Sequence, residues 1–375
     1  MTRPTILLSL AVFRPSLRAN GASITLVHNA DALGDRFHFR IVSQADPGEE
    51  IGRWHQMDGL DRIALAPGRP FDRGLGKLLE ETTSDLLLCN SFFDPAETIP
   101  ILLKHRAGRL AGPVMVAPHG ELAASALAIR SLKKNAWLRL VHAAGLLKGV
   151  SLQATSDDEA ATIRQRLPYA GDILVGPNVR EIPPLPPNQR DLDDRLRLCF
   201  VSRIDPIKNL AWAIDLAAQS GVPCRLDIYG PISSPDYWQE CQQRIAASPP
   251  TIECRVMGTL EPSRVIRTVA NYDLFILPTR GENFGHAIAE SLLAGTPVLI
   301  ANTTPWRGLE AAKAGADLPL DDREQWLRFL RTFAALDPAQ RLEWRHGARR
   351  CAEQRLDPVA DAERLAACFE AAMGR

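Results

Sequence analysis

Two segments in the second half of the chain bring together residue types that could do chemistry. The first is Leu277 to Ile300, LPTRGENFGHAIAESLLAGTPVLI, which reads as a strand end, a loop, a helix and a second strand. Glu282 stands where the loop turns into the helix, Phe284 and Gly285 offer backbone donors at the helix start, and Glu290 lies further along. A helix start with a glycine presents unpaired amides and the positive end of a dipole, so a phosphate or a sugar hydroxyl can approach closely. Ionised carboxylates beside it accept several hydrogen bonds, which the adjacent hydroxyls of a sugar or ribose supply. On spacing alone, a first-turn acid and a solvated helix glutamate are the commoner explanation of the two residues. The second segment is Leu198 to Leu210, LCFVSRIDPIKNL, a strand running into a loop that carries Arg203 and Lys208. A rigid guanidinium fork and a compact ammonium suit the charge that builds on a departing diphosphate. Two solvated loop cations are the ordinary alternative.

The elements that must position these groups follow a βαβ rhythm. Short apolar runs at Ile6–Phe13, Asp85–Cys89, Val114–Ala117, Leu152–Ala154 and Asp172–Val175 alternate with helical patterns. Runs apolar on both faces and separated by helices imply a parallel sheet covered on each side. Glu181 to Arg197, EIPPLPPNQRDLDDRLR, then combines prolines with a charged run and no apolar periodicity, as an exposed connection would. The rhythm restarts at Leu198–Val201, Arg225–Tyr229, Ile252–Val256, Leu274–Leu277 and Pro297–Ile300, and Pro358 to Met373 closes the chain as an amphipathic helix. These patterns predict an N-terminal domain over 1–182, a linker over 183–197, a second α/β domain over 198–357 and a terminal helix over 358–375. Two parallel-sheet domains so joined are expected to leave a cleft at the carboxyl ends of their strands.

Composition narrows the partners. The chain has 375 residues, and at roughly 150 residues per domain that length suggests two domains. Lys+Arg and Asp+Glu both total 44, so no global field attracts a polyanion, and nucleic acid is an unexpected partner. The seven cysteines are scattered, odd in number and without a C-x-x-C pair, which argues against a zinc site or a disulfide framework and for a reducing compartment. Arg3 followed by Ile6–Phe13 has the outline of a secretory signal, but Arg14, Pro15 and Arg18 follow with no small-residue cleavage site, and the run reads better as a buried strand. The stretch Ala128 to Val150 is expected to be a basic amphipathic helix, with Arg130, Lys133, Lys134, Arg139 and Lys148 among Leu, Val and Trp137. Such a helix can rest on an anionic membrane or attract a lipid diphosphate, although a core helix with solvated cations explains it slightly better.

SRIDPIKN, DIYGP, YDLFILPTRGENFGHAIAESLLAGTPVL and TPWRGLE stand in an order and spacing that resembles the retaining glycosyltransferases of family 4. The resemblance covers nearly the whole chain. It implies the GT-B fold, two Rossmann-like α/β domains facing across a cleft, and a hexosyltransferase active in bacterial surface polysaccharide synthesis. It implies that Arg203 and Lys208 bind the donor diphosphate, Glu290 the ribose, and Glu282 the transferred sugar, helped by the backbone of Asn283, Phe284 and Gly285. By the same resemblance Gly230 lets the backbone approach the nucleotide. Gly21, in Asn20-Gly21-Ala22, stands where the family has a Gly-Gly loop over the phosphates. APHGEL places His119 toward the transferred sugar, as the best single catalytic candidate with Glu282, Arg203 and Lys208. Glu121 either orients His119 or touches the acceptor, and Arg130 and Lys133 lie on the acceptor side. Pro177-Asn178-Val179-Arg180 departs from the family's Asn-Gly turn, and Asn178 is read as structural. The resemblance further implies a UDP-, GDP- or other NDP-sugar donor, a glycan or polyprenyl-diphosphate-linked acceptor, and no metal or cofactor. The expected location is the cytoplasm, with peripheral contact at the inner face of the membrane. A sugar-nucleotide epimerase on the same architecture and a non-catalytic subunit are the competing readings; a dinucleotide oxidoreductase is disfavoured because no G-x-G-x-x-G follows the first strand.

Overall fold

The computed structural model describes residues 3–10, 12–13, 21–46, 48–57, 60–67, 69–128, 131–188 and 195–374. The chain divides into two units, the first holding the described residues up to Glu181 and those from Asp357 onward, the second spanning Ile182–Leu356.

In the first unit the elements are β1 (Thr5–Ser9), α1 (Gly21–Leu33), β2 (His38–Gln44), β3 (Trp54–Met57), β4 (Leu60–Leu65), α2 (Arg69–Glu81), β5 (Leu86–Cys89), α3 (Thr98–Arg106), β6 (Val114–Val116), α4 (Ala124–Ala128), α5 (Ser131–Ala143), β7 (Val150–Ala154), α6 (Asp157–Arg166) and β8 (Ile173–Val175). They build one sheet in the order β3-β4-β2-β1-β5-β6-β7-β8, parallel except where β3 runs antiparallel to β4. Successive side chains leave a strand on opposite faces, and the core divides accordingly. Leu7, Leu87, Cys89, Val114 and Val116 enter one apolar cluster, while Ile6, Leu8, Leu86, Leu88 and Met115 enter another.

The second unit contains β9 (Leu196–Val201), α7 (Leu210–Gln219), β10 (Cys224–Tyr229), α8 (Pro235–Ala246), β11 (Ile252–Gly258), α9 (Val265–Val269), β12 (Leu274–Leu277), α10 (His286–Leu293), β13 (Val298–Ala301), β14 (Gly315–Leu318), α11 (Arg323–Ala334) and α12 (Pro338–Arg355). Its sheet runs β11-β10-β9-β12-β13-β14, all parallel, over one continuous core. The last helix, α13 (Pro358–Ala372), belongs to the first unit. Asp357 caps it by accepting from the Ala360 amide at 3.0 Å, and Phe369 meets the rings of Phe37 and Phe39 edge-on at 5.8 and 6.3 Å. A Cβ on Gly176 would sit 2.9 Å from both Cys368 Sγ and Leu365 Cδ1, so the glycine is what lets α13 lie against the end of β8.

Several expectations need correction. β9 starts at Leu196, inside the stretch read as linker; Leu196 is buried, and so is Arg197, whose backbone amide donates to Asp273 at 2.9 Å. β2, β3 and β4 gave no apolar run because charged side chains are hidden within them. Arg40 stacks on the Trp54 ring at 3.6 Å, and Arg62, 2% exposed, donates to Ser43 Oγ at 2.8 Å and to Glu49 Oε2 at 3.1 Å. The expected helix over Ala128–Val150 is α5 followed by turns, ending at Ala143 before β7. Asn20 and Arg130 lie outside the described residues. Among the described residues, no helix is long and apolar enough to cross a membrane.

Candidate functional site

The chemistry-bearing residues of the second unit come together because β9 and β12 are neighbours. Leu274 and Phe275 pair in register with Leu198 and Cys199, so the loops at the carboxyl ends of both strands emerge side by side. In the first loop Asp205 accepts from the Ile207 amide at 3.0 Å through its side chain and from the Lys208 amide at 2.9 Å through its carbonyl. That turn ends at Asn209, held in the left-handed region at φ 61, from which α7 departs. The second loop is tied to it: Thr279 Oγ1 donates to the Ile207 carbonyl at 3.1 Å, and the Arg280 amide donates to the same carbonyl at 2.7 Å.

Across these loops Lys208 Nζ donates to Glu282 Oε1, with the two side chains 13% and 15% exposed. Arg203, partly buried one turn earlier, makes no ion pair or hydrogen bond with any described residue. The site thus holds one compensated ion pair and one uncommitted guanidinium. Behind it, Trp306 is 4% exposed and donates its indole N–H to the Phe284 carbonyl at 2.8 Å, which fixes the approach to α10. Gly285 sits at φ 79 as the residue before α10, and a Cβ there would stand 3.0 Å from Ile288 Cδ1. Glu290 is 1% exposed in mid-helix, so the reading of it as a solvated helix residue does not hold.

Gly230 ends β10 at φ 140, where a Cβ would lie 1.9 Å from the Ser202 carbonyl oxygen. The close passage of the two strand ends therefore demands glycine whatever else approaches it. Gly21, expected in a phosphate-covering loop, is the first residue of α1.

The first unit has its own cluster at the carboxyl ends of β1, β5, β6 and β7. His119 occupies the left-handed region at φ 47, followed by Gly120 at φ 80. A left-handed non-glycine residue costs on the order of 1 kcal/mol, and the surroundings hold it there. Glu159 Oε1 accepts from the Gly120 amide at 2.5 Å, while its Oε2 accepts from the Thr155 amide at 2.8 Å and hydroxyl at 2.7 Å. The Asn90 amide nitrogen donates to the Ser9 carbonyl at 3.4 Å, which turns Asn90 Oδ1 toward His119 Nε2, 3.2 Å away. A neutral ring so placed carries its proton on Nε2 and leaves Nδ1 as the acceptor. Burial pushes the imidazole below its ordinary value, and the Glu159 carboxylate offsets part of that.

Glu121 does not orient His119. Its carboxylate accepts from Ser91 Oγ at 3.0 Å and from the Phe92 and Phe93 amides at 2.6 and 3.3 Å. Burial pushes its carboxyl above the usual range, partly offset by those bonds. Lys133 is exposed on α5. Asn178 is buried, and the bond that steadies this turn runs from the Val179 amide to Asn29 Oδ1 at 3.1 Å. Asn90 and Glu159 escaped the sequence reading, and Thr279 and Trp306 were given no role there although they lie within the quoted motifs; the adjacency of strands distant in sequence reveals what they hold.

Comparison with known proteins places this architecture. Sucrose-phosphate synthase from Thermosynechococcus elongatus superposes with a TM-score of 0.77 at 16% identity, covering 99% of this chain and 100% of that one. HepE from Anabaena, in complex with UDP-glucose, gives a TM-score of 0.74 at 17% identity over 98% and 100% of the two chains. A trehalose-6-phosphate structure from E. coli, bound with UDP-2-fluoro glucose, gives 0.71 at 10% identity over 98% and 99%. The fold is thus the GT-B architecture, two parallel-sheet α/β units. Residues 185–315 match the family model described as glycosyl transferases group 1. That span includes Arg203, Lys208, Gly230, Glu282, Gly285 and Glu290 and leaves His119 outside it. No curated protein matches the sequence.

Proposed function

We propose that this protein is a retaining glycosyltransferase of family 4 that needs no metal or other cofactor. It moves a hexosyl unit from a nucleoside-diphosphate sugar to a glycan or polyprenyl-diphosphate-linked glycan in cell-surface polysaccharide synthesis, in the cytoplasm. The observation that carries the reading is the pairing of Lys208 with Glu282 beside the uncommitted Arg203, inside the span that matches glycosyl transferases group 1. In the proposed complex Arg203 and Lys208 meet the diphosphate, so the Lys208–Glu282 pair opens and frees the carboxylate for the sugar hydroxyls. The Phe284 and Gly285 backbone assists at the start of α10, and Glu290 takes the ribose. Neutralising the leaving diphosphate as its charge develops is then the second unit's main catalytic contribution. His119 of the first unit, held neutral on a fixed tautomer, serves the transferred sugar. The complex of the Anabaena protein with UDP-glucose makes a UDP-hexose the first donor to try.

The test is release of free nucleoside diphosphate from a panel of UDP-, GDP-, ADP- and dTDP-sugars with EDTA present. Consumption of one donor, abolished in Glu282→Ala and Lys208→Ala, is the expected outcome, and proton NMR of the transfer product then reports whether the anomeric configuration is retained. Interconversion of the donor without release of nucleoside diphosphate would instead identify an epimerase.

A further inference from the structure

The basic stretch singled out in the sequence carries a second feature, separate from any acceptor-side role of Arg130 and Lys133. From Leu122 to Ser156 the chain contains no Asp or Glu, although its acids and bases are equal in number overall. Its charged residues are Arg130, Lys133, Lys134, Arg139 and Lys148.

α5 lies in the middle of this stretch and is fastened along one face. Trp137 Nε1 donates to the Phe92 carbonyl at 2.9 Å, Tyr169 Oη donates to the Leu138 carbonyl at 3.1 Å, Lys134 Nζ donates to the Ala126 carbonyl at 2.6 Å, and Val141 is fully buried. These positions recur at helical spacing and define the inner side. On the opposite side Leu132 is 86% exposed, Leu140 is 55% exposed, and Ala136 and Ala143 are exposed between and beyond them. The four form one apolar stripe. Lys133 and Arg139 flank it on either side, both exposed and neither bonded to any described residue. A helix whose only partner is the domain core carries polar residues along this line.

We propose that the outer face of α5 docks on an anionic phospholipid bilayer, with the Leu132–Leu140 stripe at the boundary of headgroups and acyl chains and Lys133 and Arg139 among the phosphates. Charge selects this occupant. A second copy of the chain would bring the same acid-free, basic helix against itself, and like charges at a contact oppose association. Two leucines and two alanines bury too little for permanent anchoring, so the contact is reversible and weakens with salt. Phe92 ties this surface to the loop network of the first unit, because its carbonyl meets Trp137 and its amide meets Glu121. The proposal stands independently of the transferase reading.

Co-sedimentation of the full chain with vesicles tests it, using phosphatidylcholine alone and phosphatidylcholine mixed equally with phosphatidylglycerol. The chain is expected to sediment with the mixed vesicles, to stay in solution with the neutral ones, and to be released as salt is raised. Lys133→Glu with Arg139→Glu should weaken binding about tenfold or more, and Leu132→Gln with Leu140→Gln should weaken it without altering the melting temperature, since those side chains are exposed. Failure to bind mixed vesicles, or equal binding by the charge-reversed variant, overturns the proposal. So does a dimer in sedimentation velocity that Leu140→Gln dissolves, because the stripe would then be a contact between copies.

Discussion

The two units build their chemistry in different ways. In the second, the candidate groups are charged, lie in two contiguous sequence segments, and are balanced against one another: Lys208 against Glu282, with Arg203 left open. In the first, the central group is a neutral imidazole whose position and tautomer come from residues far away in sequence, Asn90 and Glu159. A charge-based cluster depends on its few ions, whereas a hydrogen-bonded one depends on the scaffold that aims the ring.

That contrast can be broken by substitution. Lys208→Ala should lower donor turnover by roughly 10²–10³-fold, the magnitude of losing one preorganised charge partner; steady-state rates would show it, with the melting temperature as a control for folding. Gly230→Ala should cost about 3 kcal/mol of stability in chemical denaturation, because its Cβ would meet the Ser202 carbonyl at 1.9 Å. A near-wild-type midpoint would mean that the strand ends do not pass as closely as described. In the first unit, Asn90→Ala should reduce kcat about tenfold with little change in donor KM, the scale of one lost orienting hydrogen bond. Asn90→Asp sharpens the point, since a carboxylate beside the ring raises its pKa and should move the acid limb of the rate profile to higher pH.

The same imidazole links to stability. Because its folded-state pKa is depressed below 6.5, the folded chain binds fewer protons there than the unfolded one. Its contribution is present above pH 6.5 and is lost as pH falls through that value toward the lower folded one, and His119→Gln should flatten that part of the stability curve. The smallest effect concerns the thiols. Burial pushes Cys224 and Cys368 up to about 12 and Cys241 and Cys254 up to about 11, so alkylation of the native chain at neutral pH should be negligible, with all seven reacting once it is unfolded.

Legibility in the sequence followed the same division. Strands buried on both faces, such as β5, β9, β12 and β13, stand out as apolar runs, and the loops after β9 and β12 carry their charges openly. β2 and β4 were hidden because Arg40 is half-buried by stacking on Trp54 and Arg62 is buried by hydrogen bonding, which no periodicity records. Glu121 and Glu290 illustrate the limit for single residues. Glu121 was read as orienting His119 or touching the acceptor and is instead a partly buried acceptor for a loop backbone, while Glu290, whose spacing alone suited a solvated helix position, is buried inside α10.

The measurement that goes most directly to the central claim is calorimetric titration of the full chain with UDP, GDP, ADP and dTDP in the presence of EDTA. The account requires one of these to bind saturably and both Arg203→Ala and Lys208→Ala to weaken it by at least about tenfold. If none binds, or if both variants bind as tightly as the wild type, the carboxyl edge of β9 and β12 is not a nucleoside-diphosphate site.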